Sequence, residues 1–188
     1  MAQFWTFAKS MNSVLIRHAT DDDLAEVLAL YAQPEIDDGD VLSIEEAQAL
    51  FQRFRKYPNY RLYVARLDQK VVGTFTLLIV ENLAHRGAPS GLVEDVVVAV
   101  EHQRRGIGKQ LMRFALDRCR EAGCYKMALS SSARRSAAHR FYESLGFVKH
   151  GYSFSVEIGR GEPDGAANGS QPIRSETNGT SSAAGSRR

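Results

Sequence analysis

The sequence predicts a mixed α/β domain followed by a polar tail, and three observations carry that expectation. Runs rich in β-branched and aromatic residues alternate with stretches whose apolar residues recur at helical spacing. One such run, Val93-Glu94-Asp95-Val96-Val97-Val98, leads through Gln103-Arg104-Arg105-Gly106-Ile107-Gly108-Lys109 into an amphipathic helix. After Ile158 the chain turns abruptly to Gly, Ser, Ala, Asn and Thr.

Taken in order, recognisable structure begins with a short strand at Val14-Leu15-Ile16-Arg17, and residues 1–12 are expected to be a flexible extension. Thr20 with Asp21, Asp22 and Asp23 marks a helix start, where carboxylates complement the helix dipole. Leu24, Val27, Leu28 and Tyr31 then form one apolar stripe. The following loop carries Glu35, Asp37, Asp38 and Asp40 around Gly39. A capping box of Ser43 and Glu46 opens a second helix, which buries Ala47, Leu50, Phe51 and Phe54 and stops at Tyr57-Pro58-Asn59.

Tyr60 to Leu67 and Val71 to Val80, split by Asp68-Gln69-Lys70, read as a hairpin. A strand over Leu92 to Val100 follows. From Gly106 onward, Ile107, Leu111, Phe114, Ala115, Cys119 and Ala122 share a helical face that Gly123 ends. Tyr125 to Ser130 suits another strand, Ser136 caps the last helix, and Phe147 to Ile158 is expected to close the sheet. Residues 159–188 hold almost no large apolar side chain and cannot offset their ordering entropy, so a disordered tail is expected.

At 188 residues with 44% hydrophobic content, the chain fits one ordinary domain plus this excess. The net charge of +2, with arginines scattered among acids, argues against a nucleic-acid binder. No apolar stretch approaches the roughly 20 residues that span a bilayer, and the N-terminus lacks the basic and apolar regions of a signal peptide. A cytoplasmic protein is expected. Cys119 and Cys124 lack the closely spaced partners of a zinc site and read as reduced structural thiols.

The glycine turn is the chemically informative segment. Backbone N–H groups that open a helix have no partner within it and can receive an anion. The turn has neither the third glycine of the dinucleotide fingerprint nor the Gly-Lys-Ser/Thr of the nucleotide P-loop. What it has is Gln-x-x-Gly-x-Gly, followed downstream by Ala138-His139-Arg140-Phe141-Tyr142-Glu143-Ser144-Leu145-Gly146-Phe147. In this order the two motifs resemble the two signatures of the GNAT N-acetyltransferase superfamily, over about Val14 to Ile158. Among its branches, Val93 to Val98 and Gly123-Cys124-Tyr125-Lys126 resemble amino-sugar-phosphate acetyltransferases. Arg134 to Tyr142 is instead similar to aminoalkylphosphonate acetyltransferases, and Arg135 stands where the second signature usually has asparagine.

The resemblance implies the GNAT fold, a central mixed, mostly antiparallel sheet flanked by helices in the order β-α-α-β-β-β-α-β-α-β. It implies acetyl-CoA as cosubstrate, held at its diphosphate by Gln103, Arg104, Arg105, Gly106, Ile107, Gly108 and Lys109. On this reading Gly106 and Gly108 let the backbone approach closely where a side chain would intrude. Backbone groups of Val96, Val97 and Val98 would pair with the pantetheine arm like an added strand, and one N–H there could polarise the thioester carbonyl.

Acetyl transfer to an amine needs a neutral nucleophile, whereas a primary amine of pKa near 10 is only about one part in a thousand neutral at pH 7. Glu94 and Asp95 are the candidate proton acceptors. Strand periodicity sends their side chains to opposite faces, so only one is expected to face the acceptor; the resemblance favours Glu94. Tyr142, a phenol protonated at neutral pH, is the candidate acid for the departing thiolate.

The expected partner is a small-molecule amine, attacked directly in a ternary complex, because neither signature holds a cysteine for a covalent route. Arg134 and Arg135 suit a phosphate or phosphonate on that amine, whereas the acidic loop suits a polycation. A non-catalytic acyl-CoA-binding module and an acetyltransferase acting on protein lysines or N-termini stay open as alternatives. Homodimers are frequent in such folds, but no interface is legible here.

Overall fold

In the computed structural model, residues 13–156 other than 35 and 38 are described. The expected N-terminal extension, the acidic positions Glu35 and Asp38, the last two residues of the strand expected over 147–158 and the expected tail 159–188 lie outside the described residues.

Five strands form one sheet in the order β1 (Leu15–His18), β2 (Tyr60–Leu67), β3 (Lys70–Val80), β4 (Ser90–Val98) and β5 (Lys126–Leu129). The first four are successively antiparallel and β5 runs parallel to β4. This mixed, mostly antiparallel topology matches the expectation. Asp68 and Gln69, both at positive φ, make the tight turn of the β2–β3 hairpin.

Helices cover both faces. On one side α1 (Leu24–Tyr31) and α2 (Ile44–Phe54) pack Leu24, Val27, Leu30 and Phe51 against Leu62, Val64, Val71 and Val97. On the other, α3 (Ile107–Glu121) places Ile107, Leu111, Met112, Ala115 and Cys119 on Tyr63, Ala65, Phe75, Leu77 and Val93. Alternation along each strand serves both layers, so β2 and β3 read as nearly continuous apolar runs. Helix α4 (Ser136–Ser144) adds Phe141 and Tyr142 to the α3 side.

The Ser43–Glu46 capping box forms as expected, with hydrogen bonds of 2.9 and 3.2 Å. The acidic start at Asp21–Asp23 is a 3-10 turn rather than the first turn of α1. Leu50, expected in the core, is 42% exposed.

The last expected strand is a correction. Residues 147–156 carry no strand. Val148, Tyr152, Phe154 and Val156 are 78%, 93%, 92% and 84% exposed, so no apolar burial holds that segment extended. A strand needs a partner ladder, and none forms over residues 147–156.

Candidate active site

The site is built around a β-bulge in β4. Glu94 pairs with Thr76 and Val97 with Thr74, so Asp95 and Val96 together oppose Phe75. Asp95 absorbs the extra residue at φ 52°. This overturns the expectation that Glu94 and Asp95 face opposite sides. Val93 packs toward α3 and Val97 into the α1 layer, so with one extra residue between them Glu94 and Asp95 both fall on the α1 side, where their charge acts on Tyr60. Periodicity fails because a bulge inserts one residue into it.

A buried polar pair on that side was not read from the sequence. Thr74 and Thr76 stand two apart on one face of β3, beside the hydroxyls of Tyr31 and Tyr60 respectively. Polar residues at i and i+2 within the apolar run Val71 to Val80 were the available signal. Burial raises both phenols, which therefore stay protonated. Burial also raises the Asp95 carboxyl, helped by negative charge on Glu94 and Asp37. Desolvation and like charge act together there, so Asp95 holds its proton to higher pH than an ordinary aspartate.

Beyond Val93↔Leu129 the β4–β5 ladder ends, and among the described residues β4 pairs only with β3 from Glu94 onward. The Val96 backbone and the Val98 N–H are thus left without a strand partner on the β5 side, while both side chains pack toward α3. Val97 points the other way into the α1 layer. Two residues past the ladder, Ser131 holds a buried hydroxyl without a hydrogen-bond partner among the described residues. An orphaned hydroxyl beside a splayed strand pair fits an amide-bearing ligand.

The turn before α3 is arranged as expected, but its glycines serve two different purposes. Gly106 is left-handed, φ 80°, with nothing within 4 Å of an added Cβ. Its requirement is conformational. At Gly108 a Cβ would lie 3.2 Å from Phe141 Cζ and 3.8 Å from Val98 Cγ2, so there the need is close packing of α3 on α4 and β4.

Gln103 Nε2 donates to the Val98 carbonyl at 3.2 Å, committing its side chain to shaping the turn. Arg104 is also left-handed, φ 58°. Arg105 Nη1 lies 3.1 Å from His102 Nδ1. Arg104, Arg105 and Lys109 are exposed, and Ile107 anchors the turn in the core. Fifteen helical residues stand behind this N-terminus, and its free amides with the surrounding cations suit a diphosphate.

Tyr142 lies on the same side as Phe141, packed edge-on to Phe147 at 5.8 Å. Burial raises its phenol, and positive charge on Arg135 partly opposes this. Arg135 itself stands at the N-terminal end of the helix that carries Tyr142. His139 Nε2 lies 2.9 Å from the Ser132 carbonyl oxygen, fixing the loop that precedes α4.

The described residues hold no cluster of three metal-ligating side chains, and no helix among them is long and apolar enough to cross a membrane. Cys119 and Cys124 are free thiols; burial pushes Cys119 up to about 12, which makes it a poor nucleophile.

Comparison with known proteins agrees with this geometry. Residues 18–147 match the model of the acetyltransferase (GNAT) family. A glucosamine 6-phosphate N-acetyltransferase of Trypanosoma brucei brucei is 37% identical over 89 residues, which cover 47% of this chain and 58% of that protein. An aminoalkylphosphonate N-acetyltransferase of Salmonella typhimurium is 29% identical over 143 residues, covering 76% of this chain and 90% of that one. Among solved structures, an acetyltransferase-family protein from Agrobacterium tumefaciens superimposes with a TM-score of 0.72 at 34% identity, over 77% of this chain and 99% of its own. With fold, turn and matched span in agreement, the chain belongs to the GNAT acetyltransferase family, whose members use acetyl-CoA as acetyl donor.

Proposed function

We propose that this chain is an N-acetyltransferase that moves the acetyl group of acetyl-CoA to a primary amine of a small molecule, by direct attack in a ternary complex. The observation that carries this reading is the β4 bulge. It gathers two carboxylates on one side of a strand whose backbone lies open on its free edge, next to a glycine turn that opens a long helix.

Bound acetyl-CoA supplies an acyl carbon activated by its thioester. The backbone amides and cations of 103–109 hold the diphosphate, and the open backbone of Val96 to Val98 aligns the pantetheine arm, with the Ser131 hydroxyl as a further donor. Asp95 and Glu94 take the proton from the incoming ammonium. A carboxyl raised by burial and like charge is a better base near neutral pH than an ordinary aspartate. Tyr142, kept protonated by burial, donates to the leaving thiolate.

The amine itself is proposed to carry positive charge rather than phosphate. Negative charge on Glu94 and Asp37 acts on Asp95, that on Asp95 and Asp37 on Tyr31, and that on Glu94 and Asp95 on Tyr60, whereas positive charge on Arg135 acts on Tyr142. The second reading, a phosphorylated or phosphonylated amine, is favoured by the names of the trypanosomal and Salmonella relatives.

A CoA-release assay across polyamines, amino acids, amino-sugar phosphates and aminoalkylphosphonates separates the two. Turnover confined to the phosphorylated members, and lost in Arg134→Ala/Arg135→Ala, would reject the cationic reading. Acetyl-CoA binding without release on any amine would favour a binding module. Tyr142→Phe is expected to lower kcat about 100-fold with little change in the KM for acetyl-CoA.

A further inference from the structure

One side chain joins the two loops that flank the cleft. Gln33, just after α1, accepts at Oε1 a hydrogen bond of 2.9 Å from the Val100 backbone N–H. Its Nε2 donates to the Leu30 carbonyl at 2.7 Å. The Gln33 carbonyl in turn accepts from the Ile36 N–H at 3.2 Å, and the Asp37 N–H donates to the Tyr31 carbonyl at 3.1 Å. On the far side, the Val100 carbonyl accepts from the Gln103 N–H at 3.2 Å, and Gln103 Nε2 reaches the Val98 carbonyl.

A hydrogen-bonded chain therefore runs from the segment bearing Asp37, through Gln33, into the turn at 103–109. The acid–base chemistry leaves Gln33 unused. A local cap for the end of α1 would need only its bond to Leu30. The second bond crosses 67 positions of sequence to the residue that starts the turn.

We propose that Gln33 is a positioning residue that couples diphosphate binding at 103–109 to ordering of the loop that carries Asp37 beside the amine. The inference rests on the reading of that turn as the diphosphate site. When an anion fixes the turn, Val100 is fixed with it, and the amide of Gln33 passes the restraint to the end of α1. Such a coupling is reciprocal, so an amine that orders the Asp37 loop tightens the hold on the carrier. One hydrogen bond made or lost corresponds to a roughly fivefold change in local opening.

The test is amide hydrogen exchange of the full chain with and without coenzyme A. In the natural sequence coenzyme A should slow exchange in both 100–109 and 30–42. In Gln33→Met the slowing at 100–109 should persist while that at 30–42 falls about fivefold. Gln33→Glu, which still offers an oxygen to the Val100 N–H, should keep most of the distant protection. Unchanged exchange in β2 and β3 serves as the folding control, and Gln33→Ser replaces the Met variant if that control fails. Protection at 30–42 that is absent in the natural sequence, or undiminished in Gln33→Met (in Gln33→Ser where that replaces it), overturns the coupling. Absence of protection at 100–109 removes the diphosphate reading itself.

Discussion

Asp95 adopts a left-handed backbone that costs a non-glycine residue about 1–2 kcal/mol, and the cost turns its carboxyl into the company of Glu94, Tyr31 and Tyr60. With its pKa raised by burial, Glu94 and Asp37, Asp95 must lose a proton before it can accept one, so activity should fall on the acid side as pH drops through that raised value. Glu94→Gln removes one negative neighbour and lowers the Asp95 pKa. The acid limb of the kcat/KM profile should therefore move to lower pH while turnover survives. Asp95→Asn should cost about 100-fold in kcat/KM and flatten that limb. A limb abolished by Glu94→Gln and untouched by Asp95→Asn would instead make Glu94 the sole base. The sequence offered the two carboxylates as alternative proton acceptors, of which the family resemblance favoured Glu94. Their shared orientation was not legible there, since a bulge arises from register across β3 and leaves no local mark on β4.

At the level of elements, the helices and the hairpin were readable because each carries its own signal: the Ser43–Glu46 box, the stripe from Ile107 to Cys119, the polar break at Asp68-Gln69. What one element asks of another was less readable. Gly106 and Gly108 look alike in sequence, yet one answers to a torsion angle and the other to Phe141 on α4. This difference predicts opposite responses to substitution. Asparagine tolerates the left-handed region better than other side chains, so Gly106→Asn should bind acetyl-CoA more tightly than Gly106→Val. At Gly108 the obstacle is volume, so Asn should be no better than Val, while Gly108→Ala should weaken binding least. Calorimetric titration of the five proteins with acetyl-CoA checks the ordering. Similar affinities for Gly106→Asn and Gly106→Val would remove the torsional argument. The strand expected over 147–158 belongs to the same lesson, because Val148, Tyr152, Phe154 and Val156 stay exposed where pairing would have to come from elsewhere.

Across the whole molecule, β1, β2 and the start of α1 are tied at Asp23, a fully buried carboxylate. Arg17 of β1 grips it with two hydrogen bonds of 2.6 and 2.9 Å, Arg66 of β2 with one of 2.6 Å, and Thr20 adds its N–H at 2.8 Å and its hydroxyl at 3.0 Å. In sequence Asp23 looked like one of three acids at a helix start. Its distinct role depends on two arginines brought together only by the β1–β2 pairing. Burial alone would raise this carboxyl, but the bonds from Arg17, Thr20 and Arg66 outweigh it and hold it at about 2. The folded value lies below the unfolded one, so the stabilisation is fully present above the unfolded pKa and is lost as pH falls toward the folded one. The difference from 3.8 amounts to about 2 kcal/mol at neutral pH. Thermal unfolding followed from pH 7 to 2 should show stability dropping below about pH 4, with Asp23→Asn lacking this component of the drop. At neutral pH that variant strands two arginine charges that are 33% and 21% exposed, at a cost of about 3 kcal/mol. The gap between the two proteins should therefore narrow as the medium is acidified. A gap that stays constant down to pH 2 would mean that the carboxylate contributes through shape rather than charge.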